Sequence, residues 1–271
     1  MGDDQRVKRN GIADGLVNDQ TIARFHDDGY AVLRRAFDPS ELSAEVDDAL
    51  KGGLRADGDV KSGAGGVEFR SVVMMCERTP VSLTLLDALS VLAAELLGRR
   101  VLPGRAKGTR YFGSSGLHAD SDLAIPSLGF VAYLEPVDAT SGAFRVVPRL
   151  HRHEGAARSI DALALPTMPG DLIVFEEHLT HGSVGGAVRR QWRVDFVADP
   201  VNGAEETLVR ASFARLFDPD WDGGDDVDRY PSYGSYWQTL EHPWTARLRV
   251  LGVYELAARH ASAMRSRNGR A

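Results

Sequence analysis

His118 and Asp120 stand two residues apart at the end of a strand-like run, and on an extended backbone residues so spaced project to the same side. They can therefore share one metal ion. A His-x-Asp pair alone is more often a plain surface feature, so a third donor is required. His181 supplies it: Pro169-Gly170-Asp171 reads as a turn, and Leu172-Ile173-Val174-Phe175 as a buried strand that delivers residues 177–182 at its far end. Two imidazoles and one carboxylate on one face of an octahedral Fe(II) leave three positions for a bidentate co-substrate and dioxygen. The same donors also suit Zn(II) in a hydrolase. Against that reading, no general base is evident beside the ligands. A barrel that binds a ligand without catalysis is the other alternative, and it leaves the three donors unexplained.

In the run 189–196, RRQWRVDF, the period of two sets Arg193 and Asp195 on the face opposite Trp192, Val194 and Phe196. Arg193 can then point into a barrel, where a guanidinium matches a carboxylate bidentately. It is the candidate clamp for the far end of a dicarboxylate co-substrate; the alternative is a surface arginine in a salt-bridged strand. Lys107, Thr109 and Tyr111 alternate on the strand before His118 and can face the same co-substrate, with Arg110 on the other side. Asp122 follows the metal carboxylate by two and reads as an exposed acid. His178 competes with His181 for the distal position; His151 and His153 flank an arginine in a loop and read as solvated or structural groups, and His26, His242 and His260 carry no role.

The elements that must position these groups follow from periodicity. Residues 18–27 read as a helix capped by Asn18, 30–33 as a short strand, and Asp38-Pro39-Ser40-Glu41 opens a second helix that Gly52-Gly53 ends. Residues 54–66 are polar and glycine-rich, a loop that could border a site, and 81–97 is an apolar helix stopped by Gly98. Beyond 100 the texture changes to short apolar runs at 101–103, 107–113, 127–134, 143–147, 171–176 and 190–197, the spacing of an antiparallel β-sandwich. The 61 residues between Asp120 and His181 allow several intervening strands, as in cupin-type jelly rolls. Residues 217–236 fit no period and read as a long, lid-like loop, while 243–264 recover helical spacing before a frayed end. The expected fold is mainly β with flanking helices. It forms one domain over 1–271, with a helical N-terminal part at 18–98, a β core at 100–200, and the lid-like loop and C-terminal helix within 201–271.

Bulk properties narrow the partners. Hydrophobic residues at 43% and charged ones at 26% are ordinary for a chain that buries a core. A net charge of -6 with scattered basic residues argues against a nucleic-acid surface. The single cysteine, Cys76, lies in an apolar run and reads as a buried structural thiol, so a reducing cytoplasm is the expected compartment. The polar first ten residues lead into no apolar segment, and no unbroken apolar run is long enough for a membrane span.

Several segments resemble the phytanoyl-CoA dioxygenase family of Fe(II)/2-oxoglutarate oxygenases: Phe25-His26-Asp27-Asp28-Gly29-Tyr30, His118-Ala119-Asp120, Ser141-Gly142-Ala143-Phe144-Arg145-Val146-Val147-Pro148 with His151-Arg152, Gly170-Asp171-Leu172 and His181-Gly182-Ser183. The resemblance implies a double-stranded β-helix core and a metal triad of His118, Asp120 and His181. It also implies Fe(II) with 2-oxoglutarate and O2 as co-substrates, and co-substrate binding by an arginine downstream of the distal histidine, here Arg193 with Arg190 in reserve. The chain departs from the family pattern at Pro148-Arg149-Leu150-His151 and at Val184-Gly185-Gly186, both loop positions. The intact Asp120 disfavours halogenation, since halogenating relatives carry a small residue there. The implied reaction is hydroxylation or oxidative cyclisation of a small natural product, sugar-containing in some relatives, as in antibiotic biosynthesis. Oligomeric state is not legible.

Overall fold

In a computed structural model of the chain, the described residues are 8–9, 11–13, 15–53, 61–62, 68–149, 162–185, 188–218, 227–239 and 243–268. Their elements run β1 (Lys8–Arg9), β2 (Ile12–Ala13), α1 (Asp19–Asp28), β3 (Tyr30–Leu33), α2 (Pro39–Gly53), β4 (Lys61–Ser62), β5 (Glu68–Val73), α3 (Pro80–Leu97), β6 (Val101–Phe112) and β7 (Ser115–His118). There follow β8 (Ser127–Tyr133), β9 (Ser141–Val146), β10 (Leu163–Leu165), β11 (Leu172–Glu176), β12 (His181–Gly185), β13 (Arg189–Ala198), α4 (Gly203–Leu216), α5 (Ser235–Thr239), α6 (Thr245–Val250) and α7 (Val253–Asn268).

The strands form a seven-stranded sheet, β3-β11-β8-β13-β6-β5-β4, and a four-stranded sheet, β10-β9-β12-β7. All pairs are antiparallel. From β6 to β13 the chain passes repeatedly from one sheet to the other, which is the double-stranded β-helix expected from the sequence. Between the sheets, Val131, Tyr133, Ile173 and Phe175 of the larger meet Phe144, Val146 and Leu165 of the smaller. The outer face of the larger sheet takes the alternate residues, Phe130, Ala132, Val174, Trp192, Val194 and Phe196, and buries them with Leu42 and Val46 of α2 and Leu83, Leu86 and Leu89 of α3.

The helices obey local rules. Asn18 accepts from the Thr21 N–H at 2.9 Å to cap α1, and Gly29 ends it at φ 82, a left-handed turn that glycine makes without steric cost. At the start of α3, Glu45 accepts from the N–H groups of Val81 and Ser82, each at 2.8 Å. Ser82 in turn accepts from the Trp192 indole at 2.8 Å and donates to the Met74 carbonyl at 2.8 Å, tying α3 to β13 and to the end of β5. By length and composition α3 could cross a membrane, yet its apolar positions pack on the β core.

Four features differ from the sequence reading. The runs 101–103 and 107–113 join into β6 through Pro103-Gly104, because a bulge in β6 sets Gly104 and Arg105 opposite the single residue Asp195 of β13 and absorbs the irregularity. Residues 203–216 form α4, capped by Asn202, which accepts from the Glu205 N–H at 3.0 Å. Within the expected lid-like loop, Phe217, Tyr230 and Tyr233 are buried in the main core, so its described part is structural. The C-terminal helical stretch breaks at Gly252, φ 73, into α6 and α7. Cys76 is a free, buried thiol, and burial pushes its pKa up. Most of the 54–66 loop lies outside the described residues, as do His151, His153 and His242.

Candidate metal centre

Strand β7 ends at His118 and β12 begins at His181, and the two residues are direct antiparallel partners. Gly182 makes the approach possible: a Cβ there would lie 2.8 Å from the Gly116 carbonyl oxygen. Asp120, just past β7, donates its backbone N–H to the Glu177 carbonyl at 2.9 Å, which fixes it beside the end of β11. Three strand ends thus place one donor atom from each of His118, Asp120 and His181 within 4.8 Å of one another. Asp120 lies 3.1 Å from His181 Nε2 through Oδ2 and 3.6 Å from His118 Nε2 through Oδ1.

Both imidazoles are held by the nitrogen that faces away from the carboxylate. Nδ1 of His118 is 2.8 Å from the Gly116 carbonyl and Nδ1 of His181 is 2.9 Å from that of Leu179. A carbonyl only accepts, so Nδ1 carries a proton and Nε2 is the nitrogen offered to the shared centre, where it donates to Asp120 in the metal-free site and would give its lone pair to a metal. His181 is further fixed by stacking on Phe144 at 4.9 Å and by Phe175 at 4.7 Å. Hydrogen bonding to Asp120 raises the His118 pKa. Burial pushes the Asp120 carboxyl up, but Arg193 and the two imidazoles outweigh it and hold the group well below the usual carboxylate range. Two imidazole nitrogens aimed at one centre and a carboxylate held ionised are the donor set a divalent metal requires, so the residues fit the ion.

The sequence reading expected Arg193 at the distant end of a co-substrate. Its guanidinium instead lies against the triad, with Nη1 2.8 Å from Asp120 Oδ2, Nε 2.5 Å from Asp195 Oδ1 and Nη2 3.3 Å from Glu177 Oε1. Burial opposes its charge, but these three carboxylates raise its pKa well above the ordinary arginine value. Arg190 faces outward, 2.5 Å from Glu135 and 2.8 Å from Asp47. His178 turns to the Leu123 carbonyl at 2.7 Å. Asp122 is exposed and paired with Arg215 of α4.

Deeper between the sheets lies Arg189, which the sequence reading passed over. It is 1% exposed and donates to Ser183 Oγ at 2.5 Å and to the Gly113 carbonyl at 3.0 Å, with its guanidinium 5.3 Å from the centre of the Tyr111 ring. Gly142 makes room for it, since a Cβ there would come within 2.7 Å of the guanidinium carbon. The period of two could have found Arg189, for it shares the inward face of β13 with Gln191, Arg193 and Asp195, just as Ser183 shares that of β12 with His181. Lys107, Thr109 and Tyr111 of β6 pair directly with Arg193, Gln191 and Arg189, so the three fall on this inward face. Burial lowers the Lys107 pKa, with Arg193 adding to the effect, and burial raises the Tyr111 pKa. Beside Asp120, a cleft is lined by Asp120, Glu177 and Asp195 and by Ser212, Phe213 and Arg215 of α4.

No protein-family model and no curated protein matches the chain. Solved structures do. AviO1 from Streptomyces viridochromogenes Tue57 superposes with a TM-score of 0.53 and 20% identity over 69% of this chain and 96% of that one. EctD from S. alaskensis with bound Fe gives 0.56 and 22% over 68% and 78%. The epimerase SnoN in complex with Fe3+, alpha ketoglutarate and nogalamycin RO gives 0.53 and 15% over 66% and 83%. The chain therefore has the fold of non-haem, alpha-ketoglutarate-dependent enzymes. Identities at this level establish that fold.

Proposed function

We propose that the protein is an Fe(II)/2-oxoglutarate-dependent oxygenase that acts on a small natural product. The observation that carries this reading is the His118, Asp120 and His181 cluster, with both Nε2 atoms turned toward one carboxylate at the mouth of a double-stranded β-helix. Support also comes from the shared fold, whose members include a structure that holds Fe3+, alpha ketoglutarate and nogalamycin RO. Fe(II), when bound with a 2-oxo acid, supplies the activation of dioxygen and the oxidising power.

The chain's own residues do the rest. His118 and His181 present fixed nitrogens and Asp120 a fixed charge; these three would hold the ion and, being only three donors, would leave it able to take the co-substrate and dioxygen. In this reading the distal carboxylate of 2-oxoglutarate meets Arg189 and Ser183. That arginine points between the sheets and already holds a hydroxyl two residues from a metal ligand, whereas the Arg193 guanidinium is engaged by three carboxylates. Thr109, Tyr111 and Lys107 line the same interior and flank the chain of the co-substrate. Phe144 and Phe175 keep one side of the centre dry. The substrate enters by the cleft beside Asp120, and its oxidation is a hydroxylation or an oxidative ring closure.

The test is 2-oxoglutarate-dependent oxygen uptake and succinate release by metal-free protein supplied with Fe(II). The uncoupled reaction is expected in the parent and absent in His118→Ala. If the parent neither binds 2-oxoglutarate with iron nor consumes oxygen, the oxygenase reading fails. Activity with Zn(II) alone would instead make the site hydrolytic.

A further inference from the structure

We propose that Arg193 is a positioning residue for the metal carboxylate, holding Asp120 in a single orientation through its anchorage to Asp195 and Glu177. The inference rests on the metal-site reading above and assigns Arg193 a role different from that of a co-substrate clamp.

The argument begins with geometry. A carboxylate on a flexible χ2 torsion has two equivalent oxygens, and a metal site gains when one is selected before the ion arrives. In Asp120, Oδ2 takes the Arg193 Nη1 contact at 2.8 Å and lies 3.1 Å from His181, while Oδ1 faces His118 at 3.6 Å. The two oxygens are therefore inequivalent in their surroundings.

Arg193 can impose this only if it is itself fixed. Its Nε and Nη2 are tied to Asp195 and Glu177, and its guanidinium carbon lies 5.1 Å from the centre of the Phe175 ring, which also packs on His181. Asp195 keeps the inward alternation of β13 two residues from Arg193, while the bulge opposite it falls in β6 at Gly104 and Arg105. A Cβ on Gly104 would come within 3.1 Å of the Asp195 carbonyl oxygen, so the glycine lets β6 pass close beside it. Glu177 also accepts the Asp120 backbone N–H on its own carbonyl, so one residue anchors both the arginine and the ligand it orients. A lysine cannot reproduce this arrangement, because an ammonium lacks the planar fork that meets three carboxylates at once.

The experiment measures two affinities separately in the full chain. Co(II) binding, read from its visible d–d absorption, reports the metal site without turnover, and 2-oxoglutarate binding is then titrated at saturating metal. Arg193→Lys is expected to weaken Co(II) by about 10- to 100-fold and to change the d–d band, as loss of an outer-shell partner does. Its 2-oxoglutarate affinity is expected to stay within about threefold. Asp195→Asn loosens one anchor without touching the triad and is expected to shift the metal affinity in the same direction by less, which keeps the idea testable if Arg193→Lys does not fold.

Co(II) affinity and spectrum matching the parent in both variants would overturn the assignment. So would a tenfold or greater loss of 2-oxoglutarate affinity with metal binding intact, which would make Arg193 the clamp. A parent protein that binds no Co(II) would overturn both this inference and the metal-site reading; a parent that binds metal and 2-oxoglutarate normally separates the two.

Discussion

Two arginines four residues apart on one strand face share an interior but not a job. Arg193 meets the triad's carboxylate, while Arg189 sits deeper beside Ser183, Tyr111 and the Gly113 carbonyl. A buried guanidinium that meets an incoming carboxylate contributes about 1.5–3 kcal/mol through charge-assisted hydrogen bonds. Arg189→Met is therefore expected to raise the 2-oxoglutarate concentration for half-maximal turnover by about 10- to 100-fold. Titration of oxygen uptake against 2-oxoglutarate checks this, and an unchanged value would remove Arg189 from the co-substrate site. His118 and Asp120 were legible at this scale from donor chemistry and a period of two, and His181 from the buried strand that delivers it and from the His181-Gly182-Ser183 resemblance. Asp195 was legible as a neighbour of Arg193 on the same face, but Asp120 and Glu177 were not legible as its partners, because they reach it from other segments of the chain.

At the scale of elements, the site depends on how firmly the helices back the larger sheet. Trp192 and Val194, on the face opposite Arg193, pack against α2 and α3, so a shift of α3 would move the strand that carries both arginines. Glu45 is the local pin, for its two oxygens cover the first N–H groups of α3. Burial raises its pKa while those two bonds oppose the rise. Glu45→Ala leaves both donors without their acceptor and is expected to cost about 1–2 kcal/mol of stability. Urea unfolding measures it, and a loss under about 0.3 kcal/mol would show that water replaces the carboxylate at no cost. Helices α1, α2 and α3 and strand β3 were readable from caps, glycine stops and periodicity. Helix α4 was missed although Val209, Phe213 and Leu216 recur at helical spacing and, with Leu208, face the core; the same periodicity could have found it.

For the whole molecule, the buried charges set a pH dependence of stability. Burial, reinforced by the Asp195 charge, raises Glu177 from its ordinary 4.5 to about 8. A carboxyl whose pKa is raised on folding binds its proton more tightly in the folded state, so its contribution is full below the unfolded value and is lost as the pH rises through the folded one. The metal-free protein should therefore lose stability between about pH 4.5 and pH 8, and Glu177→Gln should flatten that limb. Asp120, whose pKa is depressed, gives the opposite slope: its contribution is full above its ordinary 3.8 and is lost as the pH falls below it. Thermal melts across this range check both slopes; an alkaline limb as steep in Glu177→Gln as in the parent would assign the dependence to other groups.

The sequence by itself determined the donor set, the inward face of β6, the sandwich texture beyond residue 100 and most of the N-terminal helices, because each is written in local chemistry and a short period. Tertiary structure decided which arginine meets which carboxylate, that 101–112 is one strand, and that part of an apparent lid belongs to the core. These depend on register across a sheet, on the bulge in β6 at Gly104 and Arg105 and on contacts between segments more than a hundred residues apart, such as Tyr233 with the Pro103 carbonyl. A period along the chain fixes the face of a side chain; the partner it meets is fixed by the strand laid opposite.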